Sequence, residues 1–362
     1  MDPLLPVDPE HIGRYRLTHR LGAGGMGQVY LARTPSGRRI VVKVIRPEYV
    51  KDDEFRTRFA REAEAARQVG GFHTAQVVDA DPETAAPWIA TAYIPGPSLY
   101  AAVRDDGPLR GAELRALALG LAEGLEAIHA CGLVHRDLKP ENIILAEDGP
   151  RIIDFGIARP LDTTHMTATG AVFGTLPYMS PEQTEGQRVG PVSDVFSLGT
   201  VLAFAATGAN PFAAESMAAT VRRLIGPPPP LVGVPDDVAG LIIECWDHTP
   251  ERRPALDTIL RRFGAVDTAI SWQGRAEAHH RPLLEDTPAP QVPTATRKLP
   301  ETPAAPEPPR VRSAATPPRE EIITGILPAA QGKGAAWALG CFLFGLPALM
   351  VLIVLIRNVL MS

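Results

Sequence analysis

The run His135-Arg136-Asp137-Leu138-Lys139-Pro140-Glu141-Asn142 puts an acid, an amine and an amide on one short loop. A second carboxylate follows in Asp154-Phe155-Gly156, after a segment short enough for a single hairpin. Either tripeptide, His-Arg-Asp or Asp-Phe-Gly, arises by chance. In this order and at this spacing they are specific. The groups have a defined chemical use. One carboxylate can orient an attacking hydroxyl and accept its proton, while an amide and another carboxylate hold Mg²⁺ against phosphates.

The remaining composition narrows the class. A chain of 362 residues holds one large or two ordinary domains with a sizeable core. Its formal net charge of −5 is spread over mixed signs, so no basic field points to nucleic acid. Cys131, Cys245 and Cys341 lie far apart without CxxC spacing, which fits a reducing compartment rather than a disulfide or zinc framework. His73, His129, His165, His248 and the His279-His280 pair show no metal-ligand spacing, and His135 reads as a support for its loop. The tail 1–14 is acidic and Pro-containing without an apolar run, so it is not a signal peptide.

The 37 prolines are unevenly placed. Between Arg281 and Pro328 they recur among Thr, Ala, Glu and Arg, with no aromatic residue. Such a stretch cannot bury enough apolar surface to offset chain entropy, so residues 265–334 read as a disordered linker. Thr287, Thr302 and Thr316 each precede Pro and read as linker composition. Residues 335–356 are then apolar and uncharged. About 22 residues at roughly 1.5 Å each span a hydrocarbon core of about 30 Å. Pro347 allows a kinked span, and Trp337 sits where an interfacial ring belongs. A buried core helix would show a polar face. Arg310, Arg312, Arg319 and Lys333 precede the span and Arg357 follows it, so the N-terminal side is expected to be cytoplasmic, with a short tail, 357–362, beyond. Gly340 and Gly345 do not make GxxxG, so that motif predicts no helix dimer, and a homodimer stays open.

From Tyr15, alternating apolar residues flank a Gly-rich turn, and Pro35-Ser36-Gly37 marks a second turn, predicting three antiparallel strands. Gly22, Gly24 and Gly27 stand in GxGxxG spacing. In a dinucleotide fold the last Gly would open a helix. Here Gln28-Val29-Tyr30 continues as strand, so Leu21, Gly22, Ala23, Gly24, Gly25, Met26, Gly27, Gln28 and Val29 read as a flap over phosphates. Lys43, in the apolar strand Ile40–Ile45, reads as a point charge on the α- and β-phosphates. Its carboxylate partner is sought on the helix predicted over residues 54–69, where Phe55, Phe59, Glu62, Ala63 and Ala66 share a face. Glu62 fits; Glu64 lies about 200° further round.

These motifs resemble those of eukaryotic-type serine/threonine protein kinases, particularly bacterial membrane-anchored ones, over about Tyr15 to Gly264. The resemblance implies an α+β bilobal kinase fold, with a small β-rich N-lobe and a helical C-lobe over residues 15–264. It implies ATP and Mg²⁺ as cofactors, with Mn²⁺ as the alternative ion, and proteins as substrates. Asp137 then takes the place of the catalytic base, Lys139 steadies the transferred phosphate, and Asn142 and Asp154 are the metal ligands. Val41 stands where the family usually has Ala against the adenine. Ala90-Thr91-Ala92-Tyr93-Ile94 resembles the hinge, with Thr91 as gatekeeper. Ser180-Pro181-Glu182 resembles the end of the activation loop, Glu182 pairing with Arg253, and Asp194 matches the residue that steadies the catalytic loop.

Arg136 precedes the catalytic Asp, an arrangement that in such kinases accompanies activation-loop phosphorylation. Among Thr163, Thr164, Thr167 and Thr169, the expected autophosphorylation sites are Thr167 and Thr169; Thr175 reads as shaping the substrate site. Two other classes compete. A pseudokinase scaffold would usually lack Lys43, Asp137 or Asp154, all of which are present. A small-molecule phosphotransferase would not need the Ser180-Pro181-Glu182 segment or a Thr-bearing loop.

Overall fold

In the computed structural model, which describes residues 1–24, 27–50, 53–156, 172–264, 272 and 274–275, the apolar alternation after Tyr15 produces a β lobe. Its strands are β1 (Asp2–Pro3), β2 (His11–Ile12), β3 (Tyr15–Gly24), β4 (Gly27–Arg33), β5 (Arg39–Ile45), β6 (Val77–Asp81) and β7 (Trp88–Ala92). They form one antiparallel sheet in the order β1-β3-β4-β5-β7-β6, with β2 also paired to β3. Because side chains alternate across a sheet, Tyr15, Tyr30, Val42 and Trp88 build an apolar cluster on one face. Val29, opposite Lys43, and Val41, opposite Thr91, fall on the other face, toward the cleft. Gly27 is needed for close approach, since a Cβ there would run into the Val44 carbonyl of β5.

After the short α1 (Pro47–Val50), α2 (Asp53–Gln68) is the helix predicted over 54–69. Phe55, Phe59, Ala63 and Ala66 are its buried stripe, with Asp53 and Glu54 in its first turn and Arg67 in its last.

The second lobe is helical: α3 (Leu99–Asp106), α4 (Gly111–Ala130), α5 (Val172–Thr175), α6 (Pro181–Thr184), α7 (Pro191–Thr207), α8 (Met217–Leu224), α9 (Asp236–Cys245) and α10 (Leu256–Gly264). Between α4 and α5 lies the hairpin β8 (Ile143–Ala146) and β9 (Gly149–Ile152). Leu114, Leu117, Leu121, Leu125 and Ile128 give α4 a fully buried stripe at helical spacing. On its hairpin side, Gly124 lets Ile152 and the His73 backbone approach to where a Cβ would stand only 2.8–2.9 Å away. This close packing fixes the hairpin, and with it Asp154, relative to α4. The central α7 is buried almost throughout, and it stops at Gly208, whose φ of 77° suits a left-handed cap.

The tail 1–14 is structured: Leu4 and Ile12 pack on the apolar cluster of the sheet, and β1 and β2 pair with β3. One expectation changes. Packing continues past Gly264, where the linker was expected to begin. Trp272 is buried in the main core, and Arg275 Nε donates to Glu113 Oε1 at 2.8 Å. An isolated Trp and Arg beyond the last periodic helix carry no sequence signal of where they dock. Gly25, Met26, Thr163, Thr164, Thr167, Thr169, the Pro-rich stretch and the apolar segment 335–356 lie outside the described residues. Among the described residues no helix is long and apolar enough to cross a membrane.

Candidate active site

The loop that carries Asp137 is held from beneath by α7. Asp194 Oδ2 accepts from the His135 amide and Oδ1 from the Arg136 amide, both at 2.8 Å, and His129 Nε2 lies 2.7 Å from Oδ2. His135 is fully buried. Its Nδ1 accepts from the Asp137 amide at 3.2 Å, which leaves Nε2–H to donate to the Ile153 carbonyl at 3.2 Å. Burial lowers its pKa, despite the Asp194 charge, so the ring works as a neutral spacer between the loop and the hairpin. The Gly156 amide donates to the His135 carbonyl at 3.0 Å, and a Cβ at Gly156 would collide with that oxygen.

Arg136 (φ 61°) and Asp154 (φ 56°) are the non-glycine residues with positive φ among those described. Each such conformation costs roughly 1–3 kcal/mol and persists only where surrounding contacts enforce it. The Asp194 and His135 hydrogen bonds supply that enforcement for Arg136.

Asp137, Lys139 and Asn142 converge. Lys139 Nζ lies 3.1 Å from Asp137 Oδ2 and 3.0 Å from Thr175 Oγ1, which joins the loop to α5. Asn142 Nδ2 donates to the Asp137 carbonyl at 2.8 Å and to Oδ2 at 3.2 Å. With its nitrogen so used, the side-chain oxygen of Asn142 is the atom left for a cation. Across the cleft, Lys43 Nζ lies 2.6 Å from Asp154 Oδ1. Within the loop itself, burial raises the pKa of Glu141.

Between the lobes is a cavity of about 620 Å³. Of the expected site residues, Leu21, Gly22, Ala23, Gly24, Val29, Val41, Lys43, Thr91, Lys139, Asn142 and Asp154 line it. Gly27, Gln28, Glu62 and Asp137 are not among its lining residues. The hinge residues Tyr93 and Ile94 border it as well, together with Met1, Ile144 and Ile153, which sequence reasoning did not single out. Ile144 belongs to the hairpin and Ile153 directly follows it, and these apolar residues could have suggested a floor for a flat ring. Met1 carries no such signal.

Glu62 departs from expectation. It was assigned to Lys43, but Arg136 NH1 donates to its Oε1 at 3.2 Å, and Lys43 is held by Asp154 instead. The helix pattern that placed Glu62 inward could not choose between two cations, Lys43 and Arg136. The left-handed turn at Arg136 directs its guanidinium toward α2.

Below the site, Glu182 and Arg253 form a buried two-pronged pair, 2.7 and 2.8 Å, as expected. Ser193 Oγ also donates to Glu182 at 2.6 Å. Burial would raise the Glu182 carboxyl, but the Arg253 and Ser193 hydrogen bonds outweigh it and hold the pKa at about 2.

The donor set suits a small hard cation. Asn142 and Asp154 offer oxygens at the cavity wall, and Mg²⁺ takes one or two protein ligands with phosphates completing its shell. Among the described residues no group of three or more His, Cys, Asp or Glu forms a complete protein cage.

Comparison with known proteins agrees with this geometry. Residues 15–263 match the protein kinase domain family. The chain is 64% identical over 272 residues to probable serine/threonine-protein kinase PkwA of Thermomonospora curvata, covering 75% of this chain and 37% of that protein. It is 52% identical over 255 residues to serine/threonine-protein kinase AfsK of Streptomyces coelicolor, covering 70% of this chain and 32% of AfsK. The chain thus spans about a third of the length of these relatives. Among solved structures, the PknI kinase domain of Mycobacterium tuberculosis superposes with a TM-score of 0.56 at 26% identity, covering 71% of this chain and 100% of that one.

Proposed function

Because the chain belongs to the protein kinase family, we propose that it transfers the γ-phosphoryl group of ATP to serine and threonine hydroxyls of proteins. The observation that carries this reading is the Asp137–Lys139–Thr175 cluster facing the Lys43–Asp154 pair across one cavity. In this reading the adenine lies between Val41 and the hairpin floor, with Thr91 at the back. Asp137 orients the substrate hydroxyl and takes its proton. Lys139 neutralises charge on the phosphoryl group in transit, and Lys43 holds the α- and β-phosphates. Asn142 and Asp154 would hold Mg²⁺, which when bound supplies charge neutralisation on the phosphates. Most of the rate then comes from positioning and preorganised charge. Lys43 would have to exchange Asp154 for phosphate oxygens.

The activity test is label transfer from γ-labelled ATP with Mg²⁺ to the chain itself and to a generic protein substrate. Label on serine or threonine is expected, with Thr167 and Thr169 among the autophosphorylated sites. Nucleotide binding without any transfer would favour the scaffold reading. An active preparation with both threonines unmodified would remove them as autophosphorylation sites.

We also propose that residues 335–356 anchor the chain in a membrane, with residues 15–264 as a cytoplasmic catalytic domain and the Pro-rich stretch giving it reach. The support is the uncharged apolar run and the basic residues before it. The full chain should pellet with membranes and resist alkaline carbonate, while a chain ending at residue 334 should not. Release of the full chain by carbonate would overturn the anchor.

A further inference from the structure

The segment before Tyr15 lies outside the kinase-domain match, which begins at that residue. Yet it is tied to the hairpin whose tip is the Gly-rich flap. Asp8 has a side chain only 2% exposed, and it accepts from four donors. Arg20 reaches it with two nitrogens, Nε at 2.6 Å; Tyr30 donates its hydroxyl at 2.8 Å; the Leu5 amide donates at 2.7 Å. Arg20 and Tyr30 face each other across β3 and β4, next to the Gly22–Val29 pair in the flap. One carboxylate therefore bridges both strands of the flap at its base.

Two further contacts set the path of the segment. Leu4 and Ile12 pack on the Tyr15–Tyr30–Trp88 face, and Asp2 and Pro3 pair with Arg20 and His19 as an edge strand. That edge pairing brings Met1 to the wall of the cavity, where Leu21 and Gly22 also lie.

We propose that residues 1–12 are a strap that completes the nucleotide site. Asp8 is a positioning residue for the Gly-rich flap, and Met1 extends the cavity wall beside Leu21. A flap anchored at its base loses less freedom when it closes on phosphates, so nucleotide binds more tightly. The clamp keeps its charge state over the working range. The Arg20 hydrogen bond holds the Asp8 carboxyl well below the usual carboxylate range. Burial and then the Asp8 hydrogen bond push the Tyr30 hydroxyl up to about 12.

This inference rests on the site being a nucleotide site, so its test reads binding and backbone protection rather than turnover. Asp8→Ala and a chain lacking residues 2–6 are compared with the wild type. The readouts are affinity for MgADP, hydrogen exchange of amides 20–30, and melting temperature. In Asp8→Ala, MgADP affinity should fall on the order of five- to tenfold, with faster exchange confined to the flap. The deletion, which keeps Asp8 but removes the edge strand, should weaken binding by about two- to fivefold. Where the protein turns over, KM for ATP should rise while KM for the protein substrate stays level. Unchanged MgADP affinity in both variants would reduce the strap to a structural cover, whatever the melting temperature. If Asp8→Ala fails to fold, the deletion alone decides. A wild type that binds no MgADP would remove the nucleotide site itself, a failure distinct from that of the strap.

Discussion

Asp137→Asn should lower kcat by roughly 10²–10⁴-fold, the usual contribution of a positioned general base. The substitution keeps the size of the side chain and one acceptor oxygen. It removes the proposed proton acceptor and the charge that holds Lys139 Nζ at 3.1 Å. Asp137 does not line the cavity, so MgADP affinity should change little. Lys43→Met, in the same assay, should also abolish most label transfer, by removing the cation at the phosphate end of the cavity. It differs in weakening nucleotide binding as well, and in releasing Asp154. The two defects are therefore separable: one in kcat alone, the other in both binding and rate. Asp137→Asn with wild-type turnover would overturn its assignment as the base.

The largest stability effect should come from Glu182→Gln. Arg253 is completely buried, and its guanidinium is matched to both oxygens of Glu182. Removing one partner leaves a buried charge uncompensated, at a cost of about 3–5 kcal/mol. For a domain of this size each kcal/mol moves Tm by roughly 2–4 °C, so a thermal melt reads it directly. The double variant Glu182→Leu with Arg253→Met should recover part of the loss, because no charge is then left in the core. The pair also gives an acid-side signature. The folded pKa of Glu182 lies at about 2, below its ordinary 4.5. Its contribution is therefore fully present above about 4.5 and is lost as pH falls toward about 2. Acid melts should show Glu182→Gln converging on the wild type in that window. A constant gap across it would mean that the loss comes from packing rather than from charge.

Much of the site was legible because chemistry and spacing coincide. Asp137, Lys139 and Asn142 are close in sequence, so a short loop must bring them together. Asp154 follows through one hairpin, and the strands from Tyr15 onward announce themselves by alternation. The inward face of α2 was equally readable, since Phe55, Phe59, Ala63 and Ala66 repeat at helical spacing. Membership of the protein kinase family follows from those same motifs.

Other features depended on contacts between distant residues, which periodicity does not encode. Which cation takes Glu62 depends on the turn at Arg136 and on where α2 lies above it. Asp8 looked like one acidic residue in a Pro-containing tail. Its burial needs Arg20 and Tyr30 to meet across a formed hairpin. Trp272 and Arg275 look like linker until the core exists to bury the one and Glu113 is placed to pair with the other.

The sequence by itself determined which acid, amine and amide groups meet on one loop, the strands and helices that carry them, and the lobes those elements build, because local spacing and side-chain chemistry suffice for each. Only the tertiary structure decided the pairing of charges, Lys43 with Asp154 and Arg136 with Glu62, the course of the chain before Tyr15, and the docking of Trp272 and Arg275. Those outcomes turn on distances of a few ångströms between segments far apart in sequence, where two partners of equal charge are alternatives until packing selects one.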